Sequence, residues 1–462
     1  MPHATTGETA MPAAFIQHPF MSQQALAECN ARAMVDAMLA FELALAEVQE
    51  ARGAVPEGAS QAMRRTLEAH DFDLEAIAAG IASGGNAAIP FVKQGRAALP
   101  EALKRYWHQG ATSQDVVDTA LMLLLAPRLA SLDALLVRCR TAALSLMQAH
   151  DQTVMVGRTL MQQALPITFG VKVAHWAIGL EQARRRLAGL ELPVQFGGAV
   201  AVHSGLEGPG RDNQGLAFMD ALAERLGLAT AVLPWHTDRQ PIHALATGLD
   251  AAAGAAEKLA LDVSLLTQTE LGEVAEPAAP GMGESSSMPH KRNPVRCALI
   301  RGAARQVHGH ATVILNAAAQ PLERGLGEWH AEWAPLLDSA LLLEGALEQA
   351  AVLLKGLEVH PEAMRRNLAA TGGGIMAEPV SRLLAPLVGQ DAARRISAEA
   401  AETARLTGRP YAQVLHEQLL AGHEELAGRV ERADLERASD PALYLGSSRA
   451  QVQRAIAWLE GK

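Results

Sequence analysis

The stretch DVVDTALMLLLAPRLASLDALLVRCRTAALSLMQAH, from Asp115 to His150, decides the fold class. Its apolar residues recur at the three- and four-residue steps of an α-helix, and Pro127 predicts a kink within it. A helix of this length far exceeds the globular average of about 11–12 residues. Such helices are typical of long bundles, or of helices that several subunits share.

The rest of the chain repeats this helical pattern. Residues 32–52 place apolar side chains at helical steps, and Gly53 ends that helix. Further long helices are predicted over 167–190, 243–274, 295–319 and 334–357. The composition, 49% hydrophobic but only 4% aromatic, suits helices packed through Ala and Leu better than sheets. We therefore predict an all-α protein.

The 462 residues are too many for one ordinary core. From about Glu358 the helices become shorter and more charged, with loops at TGGGIMAEP and TGRPY. We predict an N-terminal helical domain over 1–110, a central long-helix bundle over 111–357 and a C-terminal helical domain over 358–462.

Some predicted helices are apolar on more than one face, as in LALDVSLLTQTELGEV (259–274) and HATVILNAAAQPL (310–322). A helix that is apolar nearly all round must be buried. A lone bundle has too little interior for so many, so these helices indicate burial between subunits. The alternative is a core helix in a large monomer.

Charge and cysteine content exclude several classes of protein. The net charge is −10 and there is no long basic run, which argues against a nucleic-acid partner but still allows a local cationic pocket. Cys29, Cys139 and Cys297 show neither disulfide nor metal spacing. With neither a signal-peptide pattern nor an uncharged apolar run of membrane length, the sequence predicts a soluble cytoplasmic protein that does not bind membranes.

The loop GESSSMPHKRNP, from Gly283 to Pro294, stands out because it combines hydroxyls, cations and prolines. Asn293 is a natural N-cap and Pro294 a natural first helical residue. Hydroxyls, backbone N–H groups, cations and a helix N-terminus could together hold an anion. The alternative, a capped and solvated connection, is less favoured by so dense a cluster.

Two other segments carry polar groups before long helices. In HQGATSQD (108–115), Thr112 and Asp115 resemble a capping box, and the same hydroxyls and amides could grip a carboxylate beside His108. A cap alone is an equally good interpretation of that segment. GRTLMQQALP (157–166) precedes another predicted helix, and two further segments, PWHTDRQ and LERGLGEWHAEW, add Arg239 and Arg324.

Taken together, SSSMPHKRNP, TSQD and GRTLMQQALP resemble, in the same order, the three short motifs of the fumarase/aspartase superfamily. The loop match is highly specific, and the resemblance covers essentially the whole chain. Within the superfamily the chain is most similar to the bacterial muconate cycloisomerases, in stretches such as LAFELALAEVQEARGAVP, GNAAIPFVK and LLTQTELGEVAEPAAPG.

This resemblance implies both an architecture and a set of site residues. Three helical domains would form each subunit, four central bundles would join into a homotetramer, and each active site would combine motifs from three subunits. By position, Ser285 would be the catalytic serine, six residues before Lys291. The implied catalytic residues are Ser285, Lys291 and His108, and the implied substrate-binding residues are Thr112, Ser113, Gln162, Arg239, Ser286, Asn293 and Arg324.

The implied chemistry is addition to, or elimination across, a carbon–carbon bond beside a carboxylate. In the cycloisomerase branch, a carboxylate of a small polycarboxylate adds to the substrate's own double bond and forms a lactone. The resemblance implies no metal and no other cofactor. His308 and His310, two apart on a predicted helix, would face different ways and are not expected to bind metal.

The chain departs from the superfamily pattern at three positions. Leu160 stands where lyases usually carry a histidine, Gln163 also differs from the cycloisomerase pattern, and Glu284 replaces a usual glycine. Two alternatives therefore stay open: a C–N lyase that releases fumarate, and a non-catalytic oligomer on the same scaffold.

Overall fold

A computed structural model describes residues 16, 18–206, 214–278, 281–283, 288, 290–424 and 429–461. The all-α prediction is confirmed, since helices dominate these residues and the sheets within them are two small two-stranded pairs. The chain divides into two compact units. The first comprises 1–136, 182–257 and 299–349, and the second 137–181, 258–298 and 350–462. The predicted three-domain boundaries stay a prediction.

Five long helices carry the unit boundaries within them. These are α6 (Ser113–Ala149), α7 (Phe169–Ala188), α9 (Gln240–Leu266), α10 (Val295–Asn316) and α11 (Glu328–Gly356). All five were predicted, although α9 ends eight residues early and α11 begins six residues early. Both α6 and α11 continue through an internal proline, at Pro127 and Pro335.

The remaining helices of the first unit are α1 (Gln23–Glu28), α2 (Ala31–Ala51), α3 (Ala59–Glu68), α4 (Leu74–Gly84), α5 (Ala88–Ala98) and α8 (Gln214–Leu226). The helix predicted over 32–52 is α2, which packs against α3 and α8. Phe72, Phe91 and Trp107 form an aromatic chain with ring centroids 5.1 and 5.9 Å apart. These contacts fix the segment that leads from α5 into α6.

The remaining elements of the second unit are β1 (Val154–Thr159), β2 (Gln162–Thr168), β3 (Val274–Ala275), β4 (Glu358–Val359), α12 (Pro361–Ala369), α13 (Ala377–Val388), α14 (Gln390–Thr407), α15 (Tyr411–Gly422), α16 (Arg432–Ala438) and α17 (Ser448–Leu459). Apolar side chains of α12 to α16 share one core with Val156 of β1. This core holds the base of the β1–β2 hairpin against the C-terminal helices.

The β1–β2 hairpin was missed by sequence reasoning, which treated GRTLMQQALP only as the approach to a helix. Its strands pair antiparallel, with Thr159 opposite Gln162, around a two-residue turn formed by Leu160 and Met161. Both turn residues have positive φ, 49° and 66°, a geometry that usually selects Asn-Gly. Leu-Met is therefore a strained turn sequence, and it gives no hairpin signal.

One helix, α6, is long and apolar enough by length and composition to cross a membrane, among the described residues. Half of its most apolar window is buried within the protein. Core helices of soluble proteins meet the same criterion, so this helix is weak support for a membrane span.

The strained turn yields a stability prediction. Replacing Leu160→Asn together with Met161→Gly relieves two left-handed residues, and the free energy of unfolding in urea denaturation should be about 1–2 kcal/mol higher than that of the control variant. The matched control, Leu160→Ala with Met161→Ala, removes the same apolar side chains but keeps the strain. Equal stability of the two double variants would contradict the assignment of strain to this turn.

Candidate active site

The start of α6 is organised around the carboxylate of Asp115, which is fully buried. Oδ2 accepts hydrogen bonds from the backbone N–H of Thr112 and of Gly198, both at 2.9 Å. Oδ1 lies 3.0 Å from the Gly197 nitrogen and 2.7 Å from His236 Nε2. The Asp115 half of the expected capping box is thus present, and Asp115 anchors a loop rather than facing a substrate.

Thr112 uses its hydroxyl differently from a capping residue. Its Oγ1 accepts a hydrogen bond of 3.0 Å from Arg324 Nη1, so the structure brings these two predicted binding residues together. Arg324 Nη2 donates to the Ala199 carbonyl at 3.0 Å. Within the described part of the chain, no carboxylate lies within 4.0 Å of Arg324, and its charge is left uncompensated.

Arg324, Thr112 and the neighbouring half-buried Ser113 therefore surround the N-terminus of a long helix. A guanidinium, hydroxyls and the positive end of a helix are all groups that bind carboxylates. This cluster, which we call the Thr112–Arg324 cluster, can hold one anionic group of a substrate.

His108 lies four residues before Thr112 and is held by a residue that sequence reasoning missed. Its Nδ1 is 2.5 Å from Oε1 of the buried Glu42 on α2. Burial disfavours the charged imidazole, but the charges of Glu42 and Asp115 outweigh it and raise the pKa of His108. His108 is therefore biased towards its cationic form.

Arg239 does not occupy the position expected of a substrate-binding residue. Its guanidinium is buried between Asp118 and Glu332, with bonds of 2.7 Å to each carboxylate. Burial disfavours its charge, yet Asp118 and Glu332 raise the pKa of Arg239 above its ordinary value. Trp329 donates to the same Asp118. The predicted role of Arg239 in anion binding is not supported, because its donors are taken by internal partners.

In the second unit, Lys291 and Asn293 line a cleft of about 590 Å³. Other polar lining residues are Ser264, Thr267, Gln268, Thr269, Glu276, His290, Arg292 and His360. Lys291 is exposed, and among the described residues no carboxylate lies within 4.0 Å of it. The predicted residues Ser285 and Ser286, and the departure at Glu284, lie outside the described residues.

A glycine shapes the described base of this loop. Gly283 has φ of 74°, and a Cβ there would lie 2.6 Å from the Asn293 carbonyl oxygen. The Asn293 N–H donates to the Gly283 carbonyl at 2.9 Å. Only glycine fits this close pairing, which joins the two ends of the loop Gly283–Pro294. We call this segment the signature loop.

The helix after the loop begins at Val295, as its periodicity predicted, and Pro294 is therefore not its first residue. Two of its N-terminal amides are already occupied. The Glu276 carboxylate accepts from the backbone N–H of Arg296 at 3.0 Å and of Cys297 at 2.8 Å. Asn293 is thus not the N-cap that the sequence predicted. A substrate anion could not use those two amides, because an internal carboxylate holds them.

The other cations of these motifs are also paired internally. Arg292 makes two hydrogen bonds to Glu358, at 2.9 and 3.0 Å, and Arg158 makes two to the buried Glu273, at 2.7 and 2.9 Å. By contrast, Gln162 at the start of β2 is exposed, and Leu160 is 96% exposed. The tip of the hairpin is therefore exposed to solvent, while its base is held by the ion pair between Arg158 and Glu273.

Sequence reasoning missed the acidic partners Glu42, Glu273 and Glu276. Glu42 had a detectable signal, because it falls on the buried stripe of α2 with Met38 and Leu45, where a charge is out of place. Glu273 and Glu276 gave none, since their partners lie far away in the sequence.

The described residues contain no group of three or more His, Cys, Asp and Glu side chains placed to hold a metal ion. His308 instead contacts Asp250 through Nδ1 at 2.5 Å and Glu257 through Nε2 at 3.3 Å.

Comparison with known proteins identifies relatives of the whole chain. The family described as lyase matches residues 15–309. A 3-carboxy-cis,cis-muconate cycloisomerase of Pseudomonas aeruginosa is 42% identical over 95% of both chains. A nitrosuccinate lyase of Streptomyces davaonensis is 41% identical over 92% of this chain and 90% of its own.

A solved structure agrees with these relatives. The 3-carboxy-cis,cis-muconate lactonizing enzyme of Pseudomonas putida aligns with a TM-score of 0.88 and 37% identity, over 97% of this chain and 99% of its own.

The contrast between the two arginines can be tested. Arg239→Ala leaves Asp118 and Glu332 buried without their cation and should lower the free energy of unfolding by about 3–5 kcal/mol. Arg324→Ala loses only hydrogen bonds to neutral oxygens and should cost under about 2 kcal/mol, while raising KM for a polycarboxylate substrate. Urea denaturation and steady-state kinetics measure the two effects. A stable Arg239→Ala protein with a raised KM would restore Arg239 as a binding residue.

Proposed function

Because the chain belongs to this lyase family, part of the fumarase/aspartase superfamily, we propose that it converts 3-carboxy-cis,cis-muconate to 4-carboxymuconolactone. The chain is an enzyme of the cycloisomerase type, an intramolecular lyase. The observation that carries this function is 42% identity to such a cycloisomerase over 95% of both chains.

The reaction asks the protein to tolerate concentrated negative charge. One carboxylate of the trianionic substrate adds to a carbon–carbon double bond of the same molecule. The displaced electron pair moves to the carbon beside another carboxylate, giving an aci-carboxylate, and that carbon then takes up one proton. The product is therefore a dianion, and no metal or redox step is required by this balance.

Two cations without a carboxylate partner, one in each unit, could stabilise this negative charge. Arg324 and Lys291 have no carboxylate partner among the described residues, although the whole chain carries a net charge of −10. Fixed donors that meet a developing oxyanion contribute on the order of 3–4 kcal/mol each to lowering the barrier. We assign one substrate carboxylate to the Thr112–Arg324 cluster and another to Lys291 and Asn293.

Ser285 is the proposed proton carrier, six residues before Lys291 in the sequence. A serine hydroxyl is too weak a base at neutral pH without assistance. Stabilisation of its alkoxide by Lys291 and the loop amides would supply that assistance. Gln162 and Ser286 complete the proposed substrate contacts.

We further propose a cytoplasmic homotetramer in which neighbouring chains share each active site. Large apolar side chains are exposed on α9, α10 and α11, namely Leu261, Val313, Leu315 and Val352. The hairpin tip adds the exposed Leu160 and Met161. Burial of such surfaces against other copies of the chain removes apolar area from water and stabilises the assembly.

A second candidate function is the cleavage of a C–N bond, because the nitrosuccinate lyase is 41% identical. Elimination from nitrosuccinate would release nitrite and fumarate through a similar aci-carboxylate. Leu160, where lyases usually carry a histidine, weighs against it. Incubation with nitrosuccinate, adenylosuccinate or argininosuccinate, followed by nitrite and fumarate assays, separates this function from the cycloisomerase and from a non-catalytic oligomer.

The first kinetic prediction concerns the signature loop. The ultraviolet absorbance of 3-carboxy-cis,cis-muconate should fall as its conjugated diene is consumed, and Ser285→Ala and Lys291→Ala should each lower kcat at least about a hundredfold. Ser83→Ala and Lys93→Ala make the same chemical changes at exposed positions and serve as controls. Near-normal turnover by Ser285→Ala would remove that serine from the mechanism.

The second prediction concerns shared active sites. Thr112→Ala and Lys291→Ala proteins should each be nearly inactive, but mixing them through reversible dissociation should restore about a quarter of wild-type activity. The reason is that some sites would then receive an intact cluster from one chain and an intact Lys291 from another. No recovery, despite mixed tetramers seen by native mass spectrometry, would mean that each site lies within one chain.

A further inference from the structure

A charged residue lies on the apolar face of α2. Met38, Glu42, Leu45 and Gln49 follow one another at helical steps, and all four are buried, with Glu42 only 2% exposed. A buried carboxylate is strongly unfavourable unless a cation or several donors compensate it. Glu42 therefore needs a reason to be there that packing alone does not supply.

The two polar residues of this stripe hold one short segment, His108–Gln109. Glu42 Oε1 contacts His108 Nδ1 at 2.5 Å, and Gln49 Nε2 donates to the Gln109 carbonyl at 2.7 Å. Glu42 Oε2 has no hydrogen-bond partner, and no Lys or Arg nitrogen of the described residues lies within 4.0 Å of it. His108 is thus the cation that can compensate Glu42.

The backbone shows that this segment is constrained. His108 has φ of 60°, in the left-handed region that only a few per cent of non-glycine residues adopt. Such a conformation persists where surrounding contacts over-determine it, and it concentrates at functional sites. Here the contacts from Glu42 and Gln49 provide that constraint.

The other ring nitrogen of His108 is free to act. Nε2 has no hydrogen-bond partner among the described residues, and the His108 side chain is 21% exposed. When Nδ1–H donates to Glu42, protonation at Nε2 gives an imidazolium with one N–H available. That N–H belongs to a residue four positions before Thr112, whose hydroxyl contacts Arg324.

We propose that Glu42 is a positioning residue, which holds His108 as an oriented imidazolium so that its Nε2–H serves the substrate carboxylate bound by the Thr112–Arg324 cluster. This inference rests on the proposed function and adds to it a third fixed cation beside Arg324 and Lys291. It also assigns a role to a buried carboxylate that the superfamily motifs do not include.

The charges that face His108 support this assignment. They come from Glu42 on α2 and Asp115 on α6; burial opposes them, and together they raise the pKa of His108. Asp115 already accepts from His236 and from the amides of Thr112, Gly197 and Gly198. Glu42, with its single partner, therefore acts on His108 more strongly.

The decisive experiment measures the titration of His108 without substrate. Deuterium exchange at the imidazole C2 position, followed by mass spectrometry of the peptide containing His108, reports its pKa in the intact protein. We expect a pKa above the ordinary value of about 6.5 in the wild type, and a fall of at least about one unit in Glu42→Gln. Glu47→Gln removes a carboxylate from the same helix, where it pairs with Arg64 and Arg225, and should leave the His108 pKa unchanged.

Glu42→Asp provides a second test in case the neutral variant, Glu42→Gln, does not fold. The shorter side chain keeps the negative charge but places it farther from the imidazole. The His108 pKa should therefore fall by less than in Glu42→Gln. An unchanged His108 pKa in either folded variant overturns the proposal.

Kinetics separate positioning from a purely structural role. Since the imidazolium is the active form, kcat/KM should be retained below the His108 pKa and fall as the pH rises through it. In Glu42→Gln that fall should move to lower pH by the same interval. His108→Asn removes the imidazole while tolerating the positive φ, and Glu42→Gln should cost nothing further in that background. Additive losses in the double variant would show that Glu42 acts independently of His108.

The titration and the kinetic measurements also allow this inference to fail separately from the proposed function. A wild-type protein inactive on 3-carboxy-cis,cis-muconate would reject the function, whereas the titration of His108 would still decide whether Glu42 governs its charge.

Discussion

The buried carboxylate of Asp115 is the constraint on which the first half of the candidate site depends. Its two oxygens collect the amides of Thr112, Gly197 and Gly198 and the imidazole of His236. One side chain thereby joins the start of α6 to a loop about eighty residues further along the chain. Because a buried carboxylate with fewer donors would be strongly unfavourable, each of these four contacts helps to compensate the burial of Asp115.

Compensation of charge also divides the cations of these motifs into two groups, those with an internal carboxylate partner and those without one. Arg239, Arg292 and Arg158 each meet an internal carboxylate in paired hydrogen bonds, so they brace the scaffold. Arg324 and Lys291 have no carboxylate within 4.0 Å among the described residues, which leaves each of them able to pair with an external anion. We therefore assign the substrate carboxylates, as a proposal, to these two cations rather than to the arginines that internal carboxylates already hold.

The β1–β2 hairpin shows how structure and assembly are connected. Its base is tied to Glu273 through Arg158, while its tip places two apolar side chains in a left-handed turn facing outward. Neither feature favours an isolated subunit, since strain and exposed apolar area both cost free energy. Burial against another copy of the chain would offset both, in agreement with the proposed shared active sites.

The sequence by itself determined the all-α fold and the five long helices, because helical periodicity and Ala/Leu composition are local properties that persist over tens of residues. It also predicted Thr112, Arg324, Lys291 and Asn293 as site residues, through the motifs and the resemblance that they carry, and these roles stay predictions. Only the tertiary structure decided that Arg239 is a structural cation, that Glu276 occupies the helix N-terminus, and that Glu42 holds His108. These outcomes depend on pairs of charges far apart in the sequence, and whether a charge binds a substrate or a neighbour is settled by the partner that burial brings within reach.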